Sequence, residues 1–299
     1  MTSRTVRTGR SNATQVLHTI CESQPAATIL SAKRSALYRA LEEFPSVIVA
    51  YSGGVDSAYL AYAATQVLGV RALCVTADSP SYPRRHREMA VRIASEFNLR
   101  HEIIATAEIS RPEYRANPAN RCYYCKHELY THLSAIGRDR AISAIVDGSN
   151  ADDRGDYRPA RQAAREFGVR SPLDEVSLTK QDIRDLSHEA GLPTWDEPAS
   201  ACLSSRIPYF SEVTEEKLRM IERAETVLRD LGFRVCRVRH HDTIARLEIA
   251  REEMARALEP EIAAAIDREL RTIGYQHVAL DLRGYRLGSL NDALRLRPV

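Results

Sequence analysis

The sequence predicts an α/β protein: a parallel sheet with helices on both faces, followed by a smaller α+β C-terminal unit. Three observations predict it. Short apolar runs alternate with helical stretches from Ser46 onward. A glycine-rich turn joins the first apolar run to the first helix of that series. After residue 233 the order changes to two strands, a helical stretch and a last strand. Strand–helix alternation builds parallel sheets, because each crossover helix returns the chain to the same end of the sheet.

Each element has its own warrant. Val47-Ile48-Val49-Ala50-Tyr51 is an unbroken apolar run within 46–51, the pattern of a buried strand. Ser52-Gly53-Gly54-Val55-Asp56-Ser57 forms the turn. Val55, Tyr59, Tyr62 and Ala63 then recur at helical spacing, predicting a helix over 55–68. Further strands fall at 71–76, 101–105 and 143–147, and helices at 82–97, 125–137 and 156–167. Thr179 reads as an N-cap with Asp182 three residues on, and Gly191 and Pro193 stop that helix after Ala190. Residues 192–213 hold Pro193, Pro198 and Pro208 and read as a long functional loop. Thr214 caps the next helix, whose buried stripe is Leu218, Ile221, Leu228 and Leu231. Strands at 233–239, 244–249 and 277–282 complete the chain.

With 299 residues there is room for two domains. The expected division is an N-terminal extension at 1–29, poorly ordered or loosely docked, a nucleotide-binding domain at 30–200 and a C-terminal domain at 201–299. Forty-two basic and 40 acidic side chains leave a net charge of +2, which argues against retention on nucleic acid by bulk charge. No apolar run approaches the roughly 20 residues of a membrane span. Arg4, Arg7 and Arg10 accompany no apolar signal core, so a cytoplasmic protein without a disulfide framework is expected. Cys74, within Ala72-Leu73-Cys74-Val75, reads as core; Cys21 and Cys236 have no partner pattern.

The chemistry concentrates in three places. Gly53 and Gly54 let a ligand approach the backbone, and the helix beyond them offers free N–H groups and a positive dipole end. That combination binds phosphate. Ser52 and Ser57 add hydroxyl donors, and Asp56 is placed to hold Mg2+. The loop lacks the lysine of a Walker A motif. Gly148, in Asp147-Gly148-Ser149-Asn150, lies at a second strand end and is expected to line the same cleft. Cys122-Tyr123-Tyr124-Cys125 by itself is ambiguous between a redox pair, half a zinc site completed by His127 or Cys202, and part of an iron–sulfur site. Arg237 and Arg239, two apart on a strand, share one face; a phosphate would join them, and salt bridges to Glu225 or Glu248 are the rival.

SGGVDS after a strand resembles the PP-loop of ATP pyrophosphatases, related to the adenine nucleotide alpha hydrolases. With CYYC, GSNADDRGDYRP at 148–159, ASACLSSRIPY around Cys202, and Arg237-Val238-Arg239, the chain from about residue 30 onward is similar to the LarE family. That resemblance implies an ATP-dependent sulfurtransferase that adenylates a carboxylate of pyridinium-3,5-biscarboxylic acid mononucleotide and converts it to a thiocarboxylate. The product serves the nickel-pincer nucleotide of lactate racemase. In one branch a protein cysteine is sacrificed; its position here is Ala201. In the other, three cysteines hold a 4Fe-4S cluster with one iron open. Cys122, Cys125 and Cys202 match the second branch. The resemblance further implies a substrate phosphate on Arg206, Arg237 and Arg239, and a metal at Glu225 and Glu248, whose third acidic partner is Arg256 here. Asp153, Asp156 and Arg158 are expected in the cleft. The implied partners are a sulfide donor, a downstream nickel-inserting enzyme and further copies of the chain in a trimer-based hexamer. The rivals are a tRNA 2-thiolase, a sacrificial-cysteine sulfurtransferase, an ammonia-using synthetase of the NAD or GMP type, and a catalytically silent nucleotide sensor.

Overall fold

The computed structural model describes residues 13–155, 159–198, 201–286 and 288–291. Asp156 and Arg158 lie outside the described residues. In the N-terminal half, α1 (Ala13–Glu42), β1 (Val47–Ala50), α2 (Val55–Leu68), β2 (Ala72–Asp78), α3 (Arg84–Glu96) and β3 (His101–Ala105) follow one another. Next come α4 (Pro112–Arg115), α5 (Arg121–Asp139), β4 (Ala144–Val146), α6 (Ala160–Glu166), α7 (Pro172–Glu175) and α8 (Lys180–Glu189). The C-terminal half holds α9 (Glu215–Asp230), β5 (Cys236–His241), β6 (Ile244–Ile249), α10 (Met254–Ala257), α11 (Pro260–Ile273) and β7 (His277–Leu280).

The first sheet has the order β3-β2-β1-β4, with every pair parallel. Side chains alternate across it. Val47 and Val49 join a core with Leu37 and Leu41 of α1, Leu60 of α2 and Ile183 of α8. Ile48 and Ala50 face the other way, against Tyr130 and Leu133 of α5 and Ala163 of α6. Both faces are thus covered, which is why β1 reads as a continuous apolar run. The second sheet, β5-β6-β7, is mixed: β5 and β6 are antiparallel, β6 and β7 parallel. Leu228 of α9 and Ile266 and Leu270 of α11 pack with Val238 and Leu247 of the strands. Among the described residues no helix is long and apolar enough to cross a membrane.

Both expected caps are present. Thr179 and Asp182 form a reciprocal capping box, Asp182 N–H to Thr179 Oγ1 at 3.1 Å and Thr179 N–H to Asp182 Oδ2 at 2.9 Å. Thr214 accepts from the Lys217 N–H at 3.2 Å. Two features differ from expectation. Helix α1 begins at Ala13, inside the stretch expected as an extension, and its Lys33 reaches Asp182 at 2.6 Å. Helix α5 starts at Arg121 rather than at Cys125, so Cys122 and Cys125 sit three apart on its first turns. His240 is buried and its Nδ1 lies 3.0 Å from the Tyr275 hydroxyl, whereas His241 is exposed.

The parallel order places the turn after β1 beside the turn after β4. Gly148 lies so close to the start of α2 that a Cβ there would come within 3.0 Å of Ser57 N and 3.2 Å of the Asp56 carbonyl carbon. Both obstacles are backbone, so Gly148→Ala is expected to cost about 1–3 kcal/mol of stability, read as a lower urea midpoint.

Candidate nucleotide and thiol site

Ser52–Ser57 leads from β1 into α2. Gly53 has φ +64°, and a Cβ there would approach the Ala90 Cβ of α3 to 2.8 Å. Only glycine satisfies both demands. The loop is braced internally: Ser57 Oγ donates to the Gly54 carbonyl at 3.1 Å and accepts the Ser52 N–H at 3.1 Å. The two hydroxyls lie 3.0 Å apart. Among the described residues no side chain caps α2 at Gly54, so its first-turn amides can serve an outside acceptor.

Asp56 is where the sequence reading was incomplete. Lys180 Nζ lies 2.6 Å from its Oδ2, and Asn150 Nδ2 donates to its Oδ1 at 3.3 Å. Lys180 is the first residue of α8, 124 positions away, and supplies the cation that the loop itself lacks. Its own N–H is fixed by Asp152 Oδ2 at 2.8 Å. Asp153 is buried and accepts the Asn150 N–H at 3.1 Å. Behind Gly148, Asp147 accepts from Tyr130 at 2.9 Å and Ser171 at 2.7 Å. Val55 is buried and serves as core. A carboxylate beside an amide and free helix amides is suitable chemistry for Mg2+ with phosphate.

The three cysteines meet one neighbourhood. Cys125 packs against the apolar cluster that also holds Leu203, the residue after Cys202. Desolvation raises the Cys125 thiol pKa, reinforced by Glu108 and Cys202. Cys122 is exposed as a residue, yet enough protein surrounds its sulfur that desolvation raises its pKa as well; Arg121 opposes this and Cys202 adds to it. Tyr114 is buried in the same cluster as Cys125, its pKa raised by burial and then by Cys202 and Cys125, and its hydroxyl lies 2.6 Å from Ser204 Oγ. Three thiols are the number that a three-thiolate donor set requires. Among the described residues, no group of three or more His, Cys, Asp or Glu side chains is arranged so that it could hold a metal ion.

The arginines expected to hold phosphate also hold the Cys202 loop. Arg206 Nη1 donates to the carbonyls of Ala201 at 2.7 Å and Cys202 at 3.1 Å. Arg239 Nη1 donates to the Ser205 carbonyl at 2.6 Å, and Arg121 Nη1 to that of Ser204 at 3.0 Å. Arg237 is buried with its guanidinium 4.8 Å from the Tyr285 ring centre. Burial, and next the Arg206 charge, hold its pKa below the usual arginine range. Arg239 Nε is buried without a hydrogen-bond partner among the described residues.

Glu225 and Glu248, expected as metal ligands, are committed elsewhere. Glu225 takes Arg206 Nε at 2.7 Å, Arg229 at 2.8 Å and the Val238 N–H at 3.2 Å. Glu248 takes Arg239 at 2.8 Å and Ser289 at 3.1 Å, with Arg246 at 3.2 Å. Arg256 donates to the Leu231 carbonyl at 2.7 Å and lies 4.0 Å from the Phe233 ring centre. Of the ion pairs that the rival reading named, Arg239–Glu248 is present, whereas Glu225 pairs with Arg206 and Arg229. Lys180 and Glu108 were missed because neither stands in a local motif.

Together, the parallel sheet and glycine-rich strand–turn–helix define a PP-loop-like nucleotide-binding fold. No protein-family model matches the chain. A GMP synthase of Aeropyrum pernix is 26% identical over 207 residues, covering 61% of this chain and 39% of the synthase. An uncharacterized protein of Synechocystis sp. is 41% identical over 266 residues, 89% of this chain and 99% of that one. The pyridinium-3,5-bisthiocarboxylic acid mononucleotide synthase of Lactiplantibacillus plantarum is 34% identical over 266 residues, 89% of this chain and 96% of the synthase. The chain belongs to the family of that synthase, the LarE family.

Burial alone would raise the pKa of Glu225, but the Arg206 and Arg229 guanidiniums overcome it and hold the group below its usual 4.5. Stability from a depressed carboxylate is present above the unfolded pKa and is lost as pH falls through the folded one. Glu225→Gln is therefore expected to cost about 3–5 kcal/mol at neutral pH, with the deficit shrinking as pH falls below about 4.5 in urea titrations.

Proposed function

We propose that the chain is an ATP-dependent sulfurtransferase. It activates a carboxylate of pyridinium-3,5-biscarboxylic acid mononucleotide by adenylation and replaces it with a thiocarboxylate, for the nickel-pincer nucleotide. The observation that carries this reading is the three-cysteine neighbourhood beside a phosphate-binding loop, in a chain of the LarE family.

The β,γ-pyrophosphate of ATP would rest on the amides at the start of α2, with Ser52 and Ser57 as side-chain donors. Asp56 would hold Mg2+, a Lewis acid for the phosphates. Lys180, on the same carboxylate, brings its ammonium to the leaving pyrophosphate. The substrate carboxylate attacks the α-phosphorus, the α–β bridging bond breaks, and pyrophosphate leaves. Arg206, Arg237 and Arg239 would position the substrate phosphate. A sulfur nucleophile at the Cys122, Cys125 and Cys202 neighbourhood then attacks the acyl carbon and expels AMP, leaving the thiocarboxylate. A 4Fe-4S cluster held there by three thiolates would supply one iron open to an extra sulfide.

The test is mass spectrometry after anaerobic turnover of cluster-reconstituted protein with Mg-ATP, sulfide and the pyridinium mononucleotide. Thiolated product with unchanged protein mass is expected. A protein lighter by the elements of hydrogen sulfide would instead mean a sacrificed cysteine, and no thiolated product from a preparation that binds ATP would favour a tRNA thiolase. In the same assay Lys180→Ala is expected to slow pyrophosphate release by about 10²–10³-fold.

A further inference from the structure

The turn after β2, Ser79-Pro80-Ser81-Tyr82, touches both halves of the site. On one side the Tyr82 hydroxyl donates to the carbonyl of Ser52, the first residue of the phosphate loop, at 2.9 Å. On the other, the Ser81 carbonyl accepts the N–H of Leu203, the residue after Cys202, at 2.9 Å. The turn is closed by the Tyr82 N–H on the Ser79 carbonyl at 3.0 Å.

A buried carboxylate fixes this turn from beneath. Glu108 is 2% exposed. Its Oε1 accepts the hydroxyls of both Ser79 and Ser81 at 2.6 Å, and its Oε2 accepts that of Thr106 at 3.0 Å. No Lys, Arg or His among the described residues forms an ion pair with it. Burying a carboxylate with hydroxyl donors alone is costly, and neutral hydrogen bonds return only part of the lost hydration. A turn needed only as a connector does not require such an anchor; an apolar residue would hold it more cheaply. The anchor makes sense where both ends of the turn must be held in register.

We infer that Tyr82 and Glu108 are positioning residues that couple nucleotide occupancy of the Ser52–Ser57 loop to the placement of the Cys202 loop. Neither side chain meets a reacting atom. Tyr82 reads the loop through the Ser52 carbonyl, Glu108 makes the turn rigid, and the Ser81–Leu203 hydrogen bond passes the constraint to the residue beside Cys202. The consequence is order in the reaction: the thiol loop is held in place when the nucleotide that activates the carboxylate is bound. The inference rests on the nucleotide-site reading above.

Hydrogen–deuterium exchange tests it directly, because the Leu203 amide is one of the hydrogen bonds in question. In full-length wild-type protein, Mg-ATP without the second substrate is expected to slow exchange in the segment 203–206 by about fivefold or more, the range of ordinary coupling between sites. Tyr82→Phe loses only the hydroxyl. It is expected to bind Mg-ATP within about threefold of wild type while the protection of 203–206 disappears. Glu108→Gln is expected to behave in the same way. If Tyr82→Phe keeps the nucleotide-dependent protection, or loses Mg-ATP binding outright, the coupling role is overturned. Wild-type binding of Mg-ATP with no change at 203–206 also overturns it and leaves the nucleotide site standing. Failure of the wild type to bind Mg-ATP overturns the nucleotide site and the coupling together.

Discussion

The buried ion pair between Arg206 and Glu225 is the contact on which the arrangement of the two halves depends. The side chains are 2% and 1% exposed. Removing two charges from water is costly, and attraction between them repays it only when the remaining polar atoms also find partners. Here they do. Arg206 spends its remaining donors on the Ala201 and Cys202 carbonyls, and Glu225 accepts from Arg229 and from the Val238 backbone of β5. One pair thereby ties the Cys202 loop, helix α9 and the second sheet. His86 of α3 senses the same charges. Burial, followed by Arg85, Arg229 and Arg206, holds its pKa at about 4, so it faces this cluster as a neutral imidazole.

This constraint gives the arginines two duties. Arg206 and Arg239 hold backbone carbonyls of the thiol loop while lying in the group expected to receive a phosphate. Burial, and next the neighbouring Arg206 charge, hold the Arg237 pKa below the usual arginine range. Glu225 and Glu248 pair with Arg206 and Arg239. Carboxylates so engaged have little capacity left for a metal, and Arg256 at the third position is turned to the end of α9.

The features legible in the sequence were those carried by local pattern. A run of apolar residues, two glycines and a helical repeat sufficed for β1, the loop and α2. The caps at Thr179 and Thr214 were legible because a cap is a relation between residues three apart. The shared face of Arg237 and Arg239 followed from strand periodicity, although β5 runs from Cys236 to His241 rather than over 233–239. What was not legible depends on distant partners. Nothing around Lys180 says that its ammonium meets Asp56, and nothing around Glu108 says that it gathers three hydroxyls. The start of α5 was missed because Cys122-Tyr123-Tyr124-Cys125 carries no helical apolar stripe. Nothing around His240 says that its ring meets the hydroxyl of Tyr275, 35 positions on.

The distance of Lys180 from the loop it serves has a physical consequence. A lysine inside a phosphate loop is placed by the loop itself. Here the cation is only as well placed as α8, and several contacts hold that helix. The capping box fixes its first turn, Asp152 takes the Lys180 N–H, and Lys33 of α1 bonds Asp182. Ile183 and Leu186 are buried with Leu37 and Leu41 of α1 in the core that also receives Val47 and Val49 of β1. Helix α1 therefore supports the candidate nucleotide site at one remove. Its packing keeps α8 seated, α8 keeps Lys180 on Asp56, and Asp56 is the carboxylate at the head of the phosphate-binding helix.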